Sequence, residues 1–179
     1  MIGYYKSFQI LFGEDLRPLC EHLRNVWLTG FKALIMKEKL MKIAVIDGQG
    51  GGIGKHIMEK LRANLPEDTE LIALGTNALA TAQMMKAGAS EGATGENAIC
   101  YMSQRVDCIT GTVSVLTANG MLGEISPAIA EAVGSSPAKK YLLPLNKNNI
   151  KIVGVLKEPL PHLIEELADT IGKEWFENV

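Results

Sequence analysis

A chain of 179 residues with 47% hydrophobic and 21% charged side chains has the make-up of a globular protein, long enough for one domain with its own core but short for two. A formal net charge of −2, with no run of five basic residues, argues against gripping nucleic acid by bulk electrostatics. No stretch reaches the ~18 continuous apolar residues of a membrane span. Cys20, Cys100 and Cys108 are odd in number and lack CxxC spacing, which fits a reducing cytosol. The expectation is a cytoplasmic protein that partners neither nucleic acid nor membrane.

From about Asp15, residues Leu16, Leu19, Leu23, Val26, Leu28, Phe31, Leu34 and Ile35 fall at roughly helical spacing, so residues 1–40 read as an N-terminal helical extension. Glu14, Asp15 and Arg17 break any signal-peptide core there. A sharper reading competes. Met41 opens the first strand, and Lys37-Glu38 is the dipeptide that AAG-GAG would encode, a ribosome-binding hexamer at a fitting distance from a Met41 start codon. Residues 1–40 are then translated leader mis-assigned to the protein; other codons at those positions, or Met1 at the native N-terminus, would contradict this.

After Met41 strands and helices alternate. Lys42 to Ile46 is the first strand, and Ile53 to about Asn64 the first helix. Glu70 to Leu74 is the second strand, ending at Gly75-Thr76-Asn77. A helix from Ala78 to about Lys86 follows, with Leu79, Ala82 and Met85 as its expected buried stripe. Glu91 to Thr94 is a short strand, Gly95-Glu96-Asn97 opens a helix to about Gln104, and Val106 to Val115 suits a buried parallel strand, with Gly111 as an alternative early end. Ser126-Pro127 marks a helix start, Ser as cap and Pro at the first position. Lys140 to Leu145 and Asn149 to Val155 read as two more strands joined by Asn146-Lys147-Asn148. Leu160, Leu163, Ile164, Leu167, Ile171 and Trp175 make an amphipathic closing helix. The alternation predicts one α/β domain over 41–179, a doubly wound, mostly parallel Rossmann-like sheet with helices on both faces.

Between the first strand and helix lie five glycines in seven residues, Gly48, Gly50, Gly51, Gly52 and Gly54. A strand feeding such a loop to a helix N-terminus gathers unpaired N–H groups and the positive end of the helix dipole at one spot, a site suited to phosphate. The candidate binding residues are Asp47, Gly48, Gln49, Gly50, Gly51, Gly52, Ile53, Gly54 and Lys55, joined from the same sheet edge by Thr76, Asn77, Thr112 and Asn119. Asp47 is placed to hold a ribose hydroxyl or a metal, or else to cap the turn. Glu124 is the best-placed carboxylate for general-base work, or else simply precedes the Ser126 helix. No metal site is expected, and Cys100 and Cys108 read as small buried hydrophobes.

Gly48-x-x-x-Gly52-Ile53-Gly54 resembles the cofactor loop of short-chain dehydrogenases, and Val106-Asp107-Cys108-Ile109 resembles that family's fourth strand. The resemblance implies NAD(P) as cofactor. Its catalytic Tyr-x-x-x-Lys is missing: Tyr101 is followed four residues on by Arg105, and Tyr141 by Leu145. The second strand also ends without an acid for the ribose 2′-hydroxyl. Gly50 to His56 resembles a deviant Walker loop in which Lys55 would reach phosphate, but His56 stands where a magnesium-binding hydroxyl belongs. A third reading is a glycine turn that only permits close packing. From residue 41 to about 175 the chain looks like an uncharacterised family of short bacterial Rossmann-like proteins. The matching residues are Ile46 to Gly54, Asn119 to Pro127 and Leu143-Pro144-Leu145-Asn146. That resemblance implies no activity. The reading favoured is a protein that binds a nucleotide or dinucleotide, a small phosphate-bearing ligand, without dehydrogenase chemistry. A small nucleotide hydrolase, transferase or oxidoreductase and an empty structural turn are the alternatives, and a homodimer is compatible with all three.

Overall fold

The computed structural model describes residues 41–145, 150–155 and 158–177. Five strands, β1 (Lys42–Asp47), β2 (Glu70–Gly75), β3 (Glu91–Thr94), β4 (Cys108–Thr112) and β5 (Lys139–Leu143), form one sheet in the order β3-β2-β1-β4-β5. Every pairing is parallel. The inner strands are apolar without alternation because both faces are covered, and Ile43, Ala44, Val45 and Ile46 are each fully buried.

Five helices do the covering: α1 (Gly52–Asn64), α2 (Ala78–Lys86), α3 (Glu96–Ser103), α4 (Pro127–Ser135) and α5 (Leu160–Gly172). On one face Ile43, Val45 and Leu71 pack with Ile57, Met58 and Leu61 of α1, Met84 of α2, and Ile164, Leu167 and Ile171 of α5. On the other, Ala44, Ile46, Leu74 and Ile109 meet Ile99 of α3 and Ile129 and Val133 of α4. Each large side chain buried this way stabilises the fold by roughly 1.5–3 kcal/mol. The chain leaves β1 toward β2 on one face and reaches β4 by way of α3 on the other. The carboxyl ends of β1 and β4 are therefore the switch point, where open α/β sheets leave a crevice.

Local chemistry accounts for the boundaries. Ser126 caps α4, its Oγ accepting from the Ile129 N–H at 3.2 Å, with Pro127 at the first helical position. Asn77 caps α2 in the same way, its Oδ1 accepting from the Ala80 N–H at 3.0 Å.

Three expectations are corrected. In α2 the buried residues are Ala80, Thr81 and Met84, while Leu79 and Met85 are 56% and 39% exposed. The helix presses its small residues inward because a Cβ on Gly51 would lie 2.6 Å from the Ala80 Cα, and only a small face allows that approach. The strand expected to reach Val115 ends at Thr112 and turns into a 3-10 segment, Val113–Leu116. The sixth strand does not form over 150–155, where Val153 is 90% exposed and Gly154 turns at φ +89°. Asn149, the joining turn at 146–148 and all readings on residues 1–40 fall outside the described residues.

Candidate functional site

The glycine loop caps the carboxyl end of β1, and its glycines divide by what stands above them. Asp47 is 5% exposed, its Oδ1 accepting from the Gly48 N–H at 2.8 Å and its Oδ2 from the Gly54 N–H at 2.7 Å. Charge-assisted bonds of this kind offset the cost of burying a carboxylate. Of its two sequence readings, this geometry is the turn cap. Gly51, at φ +69°, donates to the Gly48 carbonyl at 2.9 Å and accepts from the Lys55 N–H at 2.9 Å. A Cβ on Gly54 would come within 2.7 Å of the Asp47 Cβ, and one on Gly48 within 2.7 Å of the Glu124 Oε2. Gly48, Gly51 and Gly54 are thus glycine for the protein's own packing.

Gly50 and Gly52 have no such reason. Nothing lies within 4 Å of where their Cβ atoms would be. Neither their N–H groups nor that of Ile53 has an acceptor among the described residues. The first turn of α1 carries no acidic residue and its N-cap, Gly51, has no side chain, so the Asp47 carboxylate on the Gly54 N–H partly offsets the positive end while the amides of Gly52 and Ile53 stay open. These amides border a cavity of about 290 Å³ at the switch point. Thr112 and Ser114, 3% and 2% exposed, line it too, with Met121, Leu160, Ile53 and His56.

Beside it stands a closed shoulder. Glu124, on the turn after β4, places Oε2 where three donors meet: the Gln49 N–H at 2.8 Å, the Asn77 Nδ2 at 2.9 Å and the Thr76 hydroxyl. Asn77 Nδ2 also reaches the Gln49 carbonyl at 3.0 Å. Partial burial works to raise the Glu124 pKa, but the bonds from Thr76, the Gln49 amide and Asn77 outweigh it and hold the carboxyl below its usual range. The turn delivering it is strained. Asn119, Met121 and Leu122 all sit at positive φ, and Leu122 is 92% exposed.

The candidates therefore fall in two groups around one loop. Asp47, Gly48, Gln49, Gly50, Gly51, Gly52, Ile53 and Thr112 line the cavity, while Thr76 and Asn77 hold Glu124. Lys55 turns along α1 to Glu59 at 3.7 Å, and His56 places its imidazole at the cavity wall. Asn119 shapes the turn, its N–H donating to the Ile125 carbonyl at 2.7 Å. Sequence reasoning missed Ser114, His56 and Met121 as cavity residues and gave Glu124 a different role. No spacing rule connects residues 49, 76, 77 and 124. Among the described residues no group of three His, Cys, Asp or Glu side chains gathers as a metal site, and no helix is long and apolar enough to cross a membrane. Cys108 is buried, and desolvation pushes its thiol up to about 12, so it is unreactive at neutral pH.

A larger hollow of about 600 Å³ lies between β5 and α5. Glu158 and Glu166 on its lining make it a poor host for an anion, so the chemistry favours the smaller cavity.

The fold and this loop define a doubly wound α/β protein with a glycine-rich turn at its switch point. The chain belongs to the family described as Domain of unknown function (DUF3842), whose model matches residues 42–175. A universal stress protein, crystallised in complex with cAMP, is similar at 17% identity over 56% of this chain and 94% of its own, with a TM-score of 0.34. A likeness at that level carries no statement about ligand. No curated protein matches the chain.

Proposed function

We propose that this protein binds a small phosphate-bearing ligand, a nucleotide, with a phosphate on the amides of Gly50, Gly52 and Ile53. The observation that carries the reading is the contrast within one loop: those three N–H groups have no acceptor among the described residues and border a cavity, whereas their neighbours are paired. An anion there would take three backbone hydrogen bonds at the α1 N-terminus, where Asp47 occupies only the Gly54 N–H. Thr112 and Ser114 also line the cavity, and Ile53, Met121 and Leu160 are its apolar members. The Tyr-x-x-x-Lys pair that dehydrogenase chemistry would need is missing from the sequence, so binding itself is the activity proposed.

A thermal-shift panel of pyrophosphate, ADP, ATP, GTP, NAD and NADP tests this. A ligand at 100 times its dissociation constant stabilises by about 2.7 kcal/mol, which moves the melting temperature by several degrees. The double variant Gly50→Ala/Gly52→Ala, which puts methyl groups into the anion's approach, should fold and melt like the parent and lose the shift. No shift with any of the six compounds, or a shift kept in the double variant, would refute the reading.

A further inference from the structure

Glu124 has one oxygen saturated and one spare. Oε2 takes all three protein donors, and no described residue donates to Oε1. The carboxylate stands beside Gly48, at the carboxyl ends of β1 and β2, on the opposite shoulder of the glycine loop from the Thr112 side of the cavity. In a doubly wound nucleotide site the sugar is read at that shoulder by an acid closing the second strand, which accepts from the ribose hydroxyls. Here β2 closes with Gly75, Thr76 and Asn77, all without charge. Instead of binding a ligand themselves, Thr76 and Asn77 hold a carboxylate that arrives from a turn 47 to 48 residues further on.

We propose that Glu124 is the specificity-determining residue of this site, its free oxygen accepting from the vicinal diol of a ribose whose 5′-phosphates lie on the glycine loop. The proposal rests on the phosphate reading of that loop. With Oε2 pinned by three donors, Oε1 is oriented before any ligand arrives, so little ordering is required when the bond forms. A fixed negative charge at this point also repels a second anion, so ligands bearing a 2′-phosphate are rejected. The ligand class is a ribonucleotide with free 2′- and 3′-hydroxyls, and NAD is preferred over NADP.

Calorimetric titration of the full chain with pyrophosphate, ADP, 2′-deoxy-ADP and adenosine 2′,5′-bisphosphate separates the two claims. Pyrophosphate needs only the loop amides. ADP should bind at least about tenfold more tightly than 2′-deoxy-ADP, the scale of one hydrogen bond to a charged group, and the 2′,5′-bisphosphate more weakly than ADP. Glu124→Gln keeps an acceptor for Thr76 and removes the charge; it should leave pyrophosphate binding in place, shrink the ribose preference and admit the bisphosphate. Thr76→Val, which loosens the carboxylate without removing it, should give an intermediate ratio, and circular dichroism checks that both variants fold. If pyrophosphate and ADP bind but the deoxy ratio is near one, or survives Glu124→Gln, Glu124 does not read the sugar. If neither pyrophosphate nor any nucleotide binds, the phosphate reading fails and this proposal falls with it.

Discussion

Gly48, Gly51 and Gly54 face the protein, and Gly50 and Gly52 face the cavity. On the first set a side chain would strike Glu124, Ala80 or Asp47; on the second it would meet open space. The run of glycines in the sequence thus mixes two causes. Three positions are glycine because strand, helix and turn approach one another too closely for a Cβ. The other two are free of that constraint and leave the unpaired amides bare, which is what a ligand requires and packing does not.

Substitution by alanine should separate the two sets. The largest effect is expected at Gly51, where positive φ and a backbone clash with Ala80 act together, a loss of roughly 2–4 kcal/mol by urea denaturation. Gly54→Ala should cost roughly 1–3 kcal/mol, since the Cβ of Asp47 lies in its way and Met84 has to give. At Gly50 and Gly52 the change should stay within about 0.5 kcal/mol. A large loss at either open position would mean that its freedom is only apparent, and the division would fail.

A smaller effect concerns the closed shoulder. The Glu124 carboxyl is held below its usual range by Thr76, the Gln49 amide and Asn77 against the opposing effect of partial burial. Its stabilising contribution is therefore complete above the unfolded-state value of about 4.3 and is lost as pH falls through the lower folded-state value. The stability difference between the parent and Glu124→Gln should be flat from neutral pH to about pH 5 and narrow below about 4. A difference that widens toward acid would contradict the hydrogen-bonded, ionised carboxylate.

Much of the fold was legible. Apolar runs marked β1 and β2, Ser126-Pro127 gave the start of α4, and the alternation of elements implied the parallel sheet. The face of α2 was not, because Ala80 is chosen for the close approach of Gly51, and a search for large apolar residues at helical spacing selects Leu79 and Met85 instead. The end of the chain misled for a related reason: Ile150, Lys151 and Ile152 alternate like a strand, but the sheet already ends at β5. At the site, the loop could be found from its glycines, and Thr112 from its place at the end of β4. The union of Gln49, Thr76, Asn77 and Glu124 is tertiary, formed when the turn after β4 folds over the ends of β1 and β2, and no local pattern announces it.

The most direct measurement is an amide NMR titration of the isotope-labelled protein with ADP. The phosphate reading predicts that the largest shifts fall on the Gly50, Gly52 and Ile53 N–H resonances, with Gly51 and Gly54, already bonded internally, moving least within the loop. Saturating ADP that leaves those three resonances in place, or that moves residues elsewhere instead, would contradict it.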